Sequence, residues 1–127
     1  MEKMDDKLTE TVIGLAMKVP CGLGHGFLES VYRRAIGFEL KRSDLLFEAE
    51  KRIKVFYEKV IVGEFIADIV VENRLILELK ATSALSKADG QQLVNYLKAT
   101  GIEIGLLLNF GTPILEFHRK QRLLSLS

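Results

Sequence analysis

From Lys7 to Lys18 the apolar residues Leu8, Val12, Leu15 and Ala16 recur at helical spacing. Pro20, Gly22, Gly24 and Gly26 follow, and they predict that the helix breaks there. A second helix is expected over about Phe27 to Arg42, with Leu28, Val31, Tyr32, Ala35 and Ile36 on its apolar face and Ser43-Asp44 closing it. From Leu46 to Ala81 the pattern turns strand-like. Ile53 to Tyr57 is β-rich, Glu58-Lys59 reads as a turn, and Val60 to Val71 is a second strand with a candidate bulge at Gly63. Glu72-Asn73-Arg74 is a tight turn before a third strand, Leu75 to Ala81. Helical spacing returns from Lys87 to Thr100, with Gly101 as its cap. Ile104 to Phe110 reads as a buried strand, and Pro113 to His118 as a last strand at an edge.

The order is therefore α-α-β-β-β-α-β-β. An antiparallel meander, a crossover helix and a further strand give an α/β fold, a mixed sheet flanked by helices. At 127 residues the chain is expected to form one domain, 1–127. Lys plus Arg is 18 and Asp plus Glu is 17, so a net charge of +1 supplies no strong long-range field. Any nucleic-acid partner needs a local basic patch and is expected to bind weakly. A single Cys excludes an intrachain disulfide. No apolar run approaches the roughly 20 residues of a membrane helix, and Met1 to Thr11 is acidic and polar. These features predict a cytoplasmic protein with no membrane partner.

The strongest chemical signal is Asp68, then Glu78-Leu79-Lys80 on the next strand. By the pleat, Leu75, Leu77 and Leu79 share one side of their strand, and Ile76, Glu78 and Lys80 the other. On the preceding strand Phe65, Ala67, Ile69 and Val71 are expected on one side, and Ile66, Asp68 and Val70 on the other. A three-residue loop at 72–74 puts Val71 opposite Leu75, Asp68 opposite Glu78 and Ile66 opposite Lys80. Two carboxylates and an ammonium then lie within about 5 Å of one another. Opposed like charges destabilise a hairpin unless something neutralises them. A divalent cation does so, and two carboxylates with waters and a backbone carbonyl suit Mg²⁺ or Mn²⁺. Lys80 can orient an attacking water or stabilise charge on a phosphate. The plain alternative is a solvated hairpin face with an accidental Glu78–Lys80 spacing. Against it, the run Leu75-Ile76-Leu77 marks a central strand, which seldom carries three charges on one face.

Gln92 and Tyr96 stand at i and i+4, on one helix face. Gln92 can reach a water or a phosphate at such a site, or remain a surface residue. Glu29 and Tyr32 are at i and i+3 on the second helix. Glu29 is a candidate third carboxylate, or a favourable charge in the first helical turn. Glu39 projects from the apolar face and suggests a buried ion pair. Arg33, Arg34, Lys41 and Arg42, and His118-Arg119-Lys120 with Arg122, are candidate phosphate-contact patches or simply solvated charges. His25 and Cys21 read as incidental.

Taken together, the Asp68…Glu78-Leu79-Lys80 arrangement in this element order resembles the PD-(D/E)XK nuclease superfamily, with its restriction-endonuclease-like fold. More closely, the chain resembles the small GxxExxY protein family. Gly26-Phe27-Leu28-Glu29-Ser30-Val31-Tyr32 matches that family's name motif. Leu77 to Ala81, Gln92 to Leu97 and Gly105 to Gly111 match its other blocks, so the likeness runs from about Leu8 to Arg119. The resemblance implies Asp68 and Glu78 as metal ligands with the Leu79 carbonyl, Lys80 as the catalytic lysine, Gln92 and Tyr96 as the Gln-x-x-x-Tyr helix, and Glu29 as the acidic residue of the first core helix. Ala67 stands where the superfamily name has Pro, and His25 where family members often have Pro. The expected activity is Mg²⁺- or Mn²⁺-dependent hydrolysis of DNA or RNA. The competing expectation is a non-catalytic nucleic-acid-binding or protein-interaction module that keeps the fold. A domain this small, without a separate recognition element, is also a candidate homodimer.

Overall fold

The computed structural model describes residues 4–122, with the side chains of residues 4 and 5 set aside. Residues 1–3 and 123–127 of the expected 1–127 domain lie outside the described residues. Eight elements follow one another: α1 (Met4–Leu23), α2 (Glu29–Arg42), β1 (Phe47–Tyr57), β2 (Val60–Val71), β3 (Leu75–Lys80), α3 (Lys87–Thr100), β4 (Ile104–Asn109) and β5 (Glu116–Gln121). The order of helices and strands is the expected one. The strands form one sheet, β1-β2-β3-β4-β5. Only β3 and β4 run parallel, joined through α3; the other neighbours are antiparallel. The fold is thus α/β, a five-stranded mixed sheet flanked by helices, consistent with the restriction-endonuclease-like expectation.

Two apolar layers hold it together. On one face Leu8, Val12, Leu15, Ala16 and Val19 of α1 and Tyr32, Ile36 and Leu40 of α2 pack on Ile69, Val71, Leu75, Leu77, Leu79, Leu106 and Leu108. On the other, Leu93 and Leu97 of α3 cover Ala67, Val70, Ile76 and Leu107. Strand β4 is buried at every position and β3 at all but Lys80. That is why their sequences read as continuous apolar runs. Among the described residues no helix is long and apolar enough to cross a membrane.

Several boundaries differ from the expectation. The first helix does not break at Pro20 but continues to Leu23. Pro20 removes one intrahelical bond within the last turn, where little helix remains to disrupt. The chain turns out at Gly24, whose φ is +73°, and the Gly24 N–H donates to Pro20 O at 2.8 Å. Helix α2 begins at Glu29, and Leu28, expected on its apolar face, is 77% exposed. The last strand starts at Glu116, not Pro113, and runs on to Gln121. His118, Arg119 and Lys120 therefore lie in β5. The bulge falls beside Gly63: Val55 pairs with Gly63 and Phe56 with Ile61, so Val62 is the extra residue. Glu39 forms an ion pair with Arg42, but the Arg42 side chain is 60% exposed, so the pair is not the buried one expected.

Candidate active site

The β2–β3 register is the expected one where the strands pair: Val71 with Leu75, Val70 with Ile76, Ile69 with Leu77. Beyond Ile69 the backbone ladder stops, so neither the expected Asp68–Glu78 pair nor the expected Ile66–Lys80 pair forms part of it. Side chains take over at that point. The Asp68 N–H donates to Glu78 Oε1 at 3.2 Å, and the Leu79 N–H donates to Asp68 Oδ2 at 2.8 Å. Each carboxylate thus holds the opposite strand through one oxygen. Asp68 Oδ1 and Glu78 Oε2 accept no hydrogen bond among the described residues.

The pleat of β2 also departs from the expectation. Ile69 and Val71 face α1 and α2, whereas Ala67 packs on the α3 side and Phe65 stacks on Tyr96 of α3, ring centroids 3.6 Å apart. The expected common side for Phe65, Ala67, Ile69 and Val71 is therefore split at Asp68. The neighbouring strand shows the cause. Ala49 pairs with Ile69 and Lys51 with Ala67, leaving Glu50 and Asp68 across from each other without a ladder pair. Glu50 holds φ +52°, a left-handed conformation uncommon in a strand for a residue with a Cβ. Strand β2 is released from both neighbours at Asp68.

Burial dominates the electrostatics. It raises the Asp68 carboxyl above its ordinary value, against the Leu79 N–H and the positive charges of Arg33 and Lys80. It raises Glu78 further, to about 8, with the Asp68 charge adding to the effect. The charge of Glu29 also reaches Glu78, although more weakly. Lys80 acts on both carboxylates, and its Nζ stands 3.8 Å from Asp89 Oδ1 at the start of α3. Asp89 is fixed in turn by a reciprocal cap: its N–H donates to Ser86 Oγ, and its Oδ2 accepts the Ser86 N–H. Tyr96 lies close enough that its hydroxyl is raised by burial and by the charges of Glu78 and Asp68.

The structure therefore brings together Asp68, Glu78, Lys80 and Tyr96, with Glu29 in electrostatic reach. Gln92 is exposed on α3 and shares a face with Asp89 and Tyr96. Tyr32 is not brought to the pair. It is fully buried, stacks on Phe110 at 4.6 Å, donates to Gly24 O and accepts the Phe27 N–H. It shapes the loop that leads into Glu29. Three further residues take part in the geometry without a place among the sequence candidates: Glu50, Asp89 and Asn109. The Ser86-x-x-Asp89 spacing is a signal for the second of these.

Asn109 clamps the segment that follows Lys80. It is fully buried, pairs with Lys80 across β3–β4, and accepts the N–H groups of Thr82 and Gly111 while donating to Thr82 O. Gly111 is required there, because a Cβ would stand 2.2 Å from the Thr82 backbone. Among the described residues no three His, Cys, Asp or Glu side chains gather into a cage. The side-chain donors are two carboxylates, each with one oxygen uncommitted, desolvated and mutually repelling. This all-oxygen set fits a hard divalent cation that completes its shell with waters and carbonyl oxygen.

No curated protein gives a match to the chain. Among solved structures, SSO0001 superposes with a TM-score of 0.58 at 16% identity, over 76% of this chain and 50% of that one. The chain thus spans half the length of SSO0001, and the likeness is one of fold. The family model of the PD-(D/E)XK nuclease superfamily matches residues 6–121. Spanning the sheet, all three helices and the Asp68–Glu78 pair, that match establishes that the chain belongs to the PD-(D/E)XK nuclease superfamily.

Proposed function

We propose that this chain is a divalent-metal-dependent phosphodiesterase acting on DNA or RNA, one nuclease-like domain of the GxxExxY type. The observation that carries the reading is the desolvated Asp68–Glu78 pair, each carboxylate held by the other's strand, with the Lys80 ammonium alongside. Superfamily nucleases generally use divalent metals and act on nucleic acid, which agrees with this donor set. Asp68, Glu78 and the Leu79 carbonyl would hold Mg²⁺ or Mn²⁺. Such an ion supplies a Lewis acid for the phosphoryl oxygen and makes water more acidic. Lys80 places positive charge beside the phosphorus as negative charge builds up on its oxygens during attack. Asp89 Oδ1, 3.8 Å from the Lys80 Nζ, anchors that ammonium at the start of α3. Gln92 and Tyr96, one helical turn apart, present an amide and a hydroxyl to the scissile phosphate and the water.

The test is cleavage of labelled single- and double-stranded DNA and RNA by the purified protein with Mn²⁺. Cleavage that chelator stops supports the reading. Absence of cleavage, with a flat thermal shift on adding Mn²⁺, overturns it in favour of a binding module that has kept the fold.

A further inference from the structure

Helix α2 and strand β1 enclose a cleft of about 510 Å³. Arg33, Arg34 and Lys41 line it from α2, and Phe47 and Glu50 from β1, with Phe38 at its side. Arg34, Phe38 and Lys41 fall at i, i+4 and i+7 and so share one face of α2. Arg34 and Lys41 are exposed, and neither has a partner among the described residues. Phe38 is 54% exposed, with the Arg42 guanidinium 5.1 Å from its ring centroid and the rest of the ring open to solvent.

The cleft shares a wall with the candidate active site. Arg33 bonds Glu50 at 2.5 Å, and Glu50 stands across from Asp68. The charges of both members of that ion pair act on the Asp68 carboxyl. Basic side chains interleaved with an exposed aromatic, leading to a pair of carboxylates, match a polyanion whose bases are free to stack. A duplex keeps its bases stacked on one another and offers no open ring face to Phe38.

We infer that this cleft is the track by which a single-stranded polynucleotide reaches Asp68 and Glu78. Phosphates lie along Arg33, Arg34 and Lys41, and an unpaired base stacks on the part of Phe38 that Arg42 leaves open. Arg33, now bound to Glu50, exchanges that carboxylate for a phosphate as the strand enters. This inference rests on the nuclease reading, for which it names the substrate class.

Fluorescence anisotropy in chelator separates the two. The probe is a labelled oligothymidylate, with a labelled duplex as comparison and salt varied. Arg34→Ala and Lys41→Ala should each weaken single-strand binding and reduce the slope of log K against log salt by about 0.7. Phe38→Ala should weaken it by about tenfold, within the range for one stacked base, with the slope unchanged. Thermal midpoints equal to wild type confirm that these surface variants are folded. Single-strand affinity unaltered in all three folded variants, or a duplex bound as tightly as the single strand, overturns the inference. Cleavage is scored separately with Mn²⁺. Binding lost in the variants with no cleavage by the wild type supports the cleft and overturns the nuclease reading; cleavage with binding unaltered does the reverse.

Discussion

The Asp68 N–H donates to Glu78 Oε1 at 3.2 Å, so the backbone of one acid holds the side chain of the other. The return bond, from the Leu79 N–H to Asp68 Oδ2 at 2.8 Å, closes the pair. Both carboxylates are thereby fixed by the protein alone. The cost falls on their ionisation, because two acids withdrawn from water cannot both carry charge cheaply.

That cost has a pH signature. Asp68 and Glu78 are both raised in the folded state, so the fold binds more protons than the unfolded chain. Stability is full below the unfolded values and is lost as pH rises through the folded ones. For Glu78 the window runs from 4.5 to about 8. Asp89 and Glu116 act in the opposite sense at more acid pH, because bonds to Ser86 and His118 hold their carboxyls below their ordinary values. In chelator, urea denaturation at stepped pH should therefore show stability falling across the Glu78 window. Glu78→Gln should flatten most of that fall. A fall of equal size in Glu78→Gln would assign it to other groups.

Asp68→Asn separates charge from shape. An amide oxygen still accepts the Leu79 N–H, and one of two opposed charges is gone. In chelator the variant should be more stable than wild type at pH 8, by about 0.5–1 kcal/mol. The stabilisation that Mn²⁺ gives the wild type should shrink or vanish in it. Thermal shift with and without Mn²⁺ reads both effects. A less stable metal-free variant with the Mn²⁺ shift intact would make Asp68 a structural residue only.

Much of this geometry was legible in the sequence, for identifiable reasons. The turn at Glu72-Asn73-Arg74 fixes the register, and Val71 opposite Leu75 then brings Asp68 within side-chain reach of Glu78. Gly101, at φ +77°, and the Lys87–Thr100 helix follow from local capping and period. What the sequence did not disclose depends on tertiary neighbours. The alternation rule places Ala67 with Ile69, but the left-handed Glu50 on the next strand breaks the pleat there. Tyr32 sits in the same motif as Glu29, yet Tyr32 is buried and stacked on Phe110 while Glu29 is exposed at the start of α2. Pro20 stops helices in general, but here it falls within the last turn, where the stop belongs to Gly24.

Asn109 is predicted to be the most sensitive polar residue of the core. Asn109→Ala leaves the N–H groups of Thr82 and Gly111 without their acceptor. The expected loss is about 3 kcal/mol in urea denaturation, the scale of two unsatisfied donors in a buried setting. A loss under about 1 kcal/mol would mean that water replaces the side chain and that the clamp behind Lys80 is dispensable.

The decisive variant is Lys80→Ala, assayed for polynucleotide cleavage beside its Mn²⁺ thermal shift. In the proposed chemistry Lys80 contributes charge to the reacting phosphate and no ligand to the cation. The variant should therefore keep the wild-type Mn²⁺ shift while cleavage falls by about a hundredfold or more, the scale of one lost electrostatic contact to a transition state. Cleavage at the wild-type rate in Lys80→Ala, with chelator still abolishing it, would contradict this role for Lys80 and place the chemistry elsewhere.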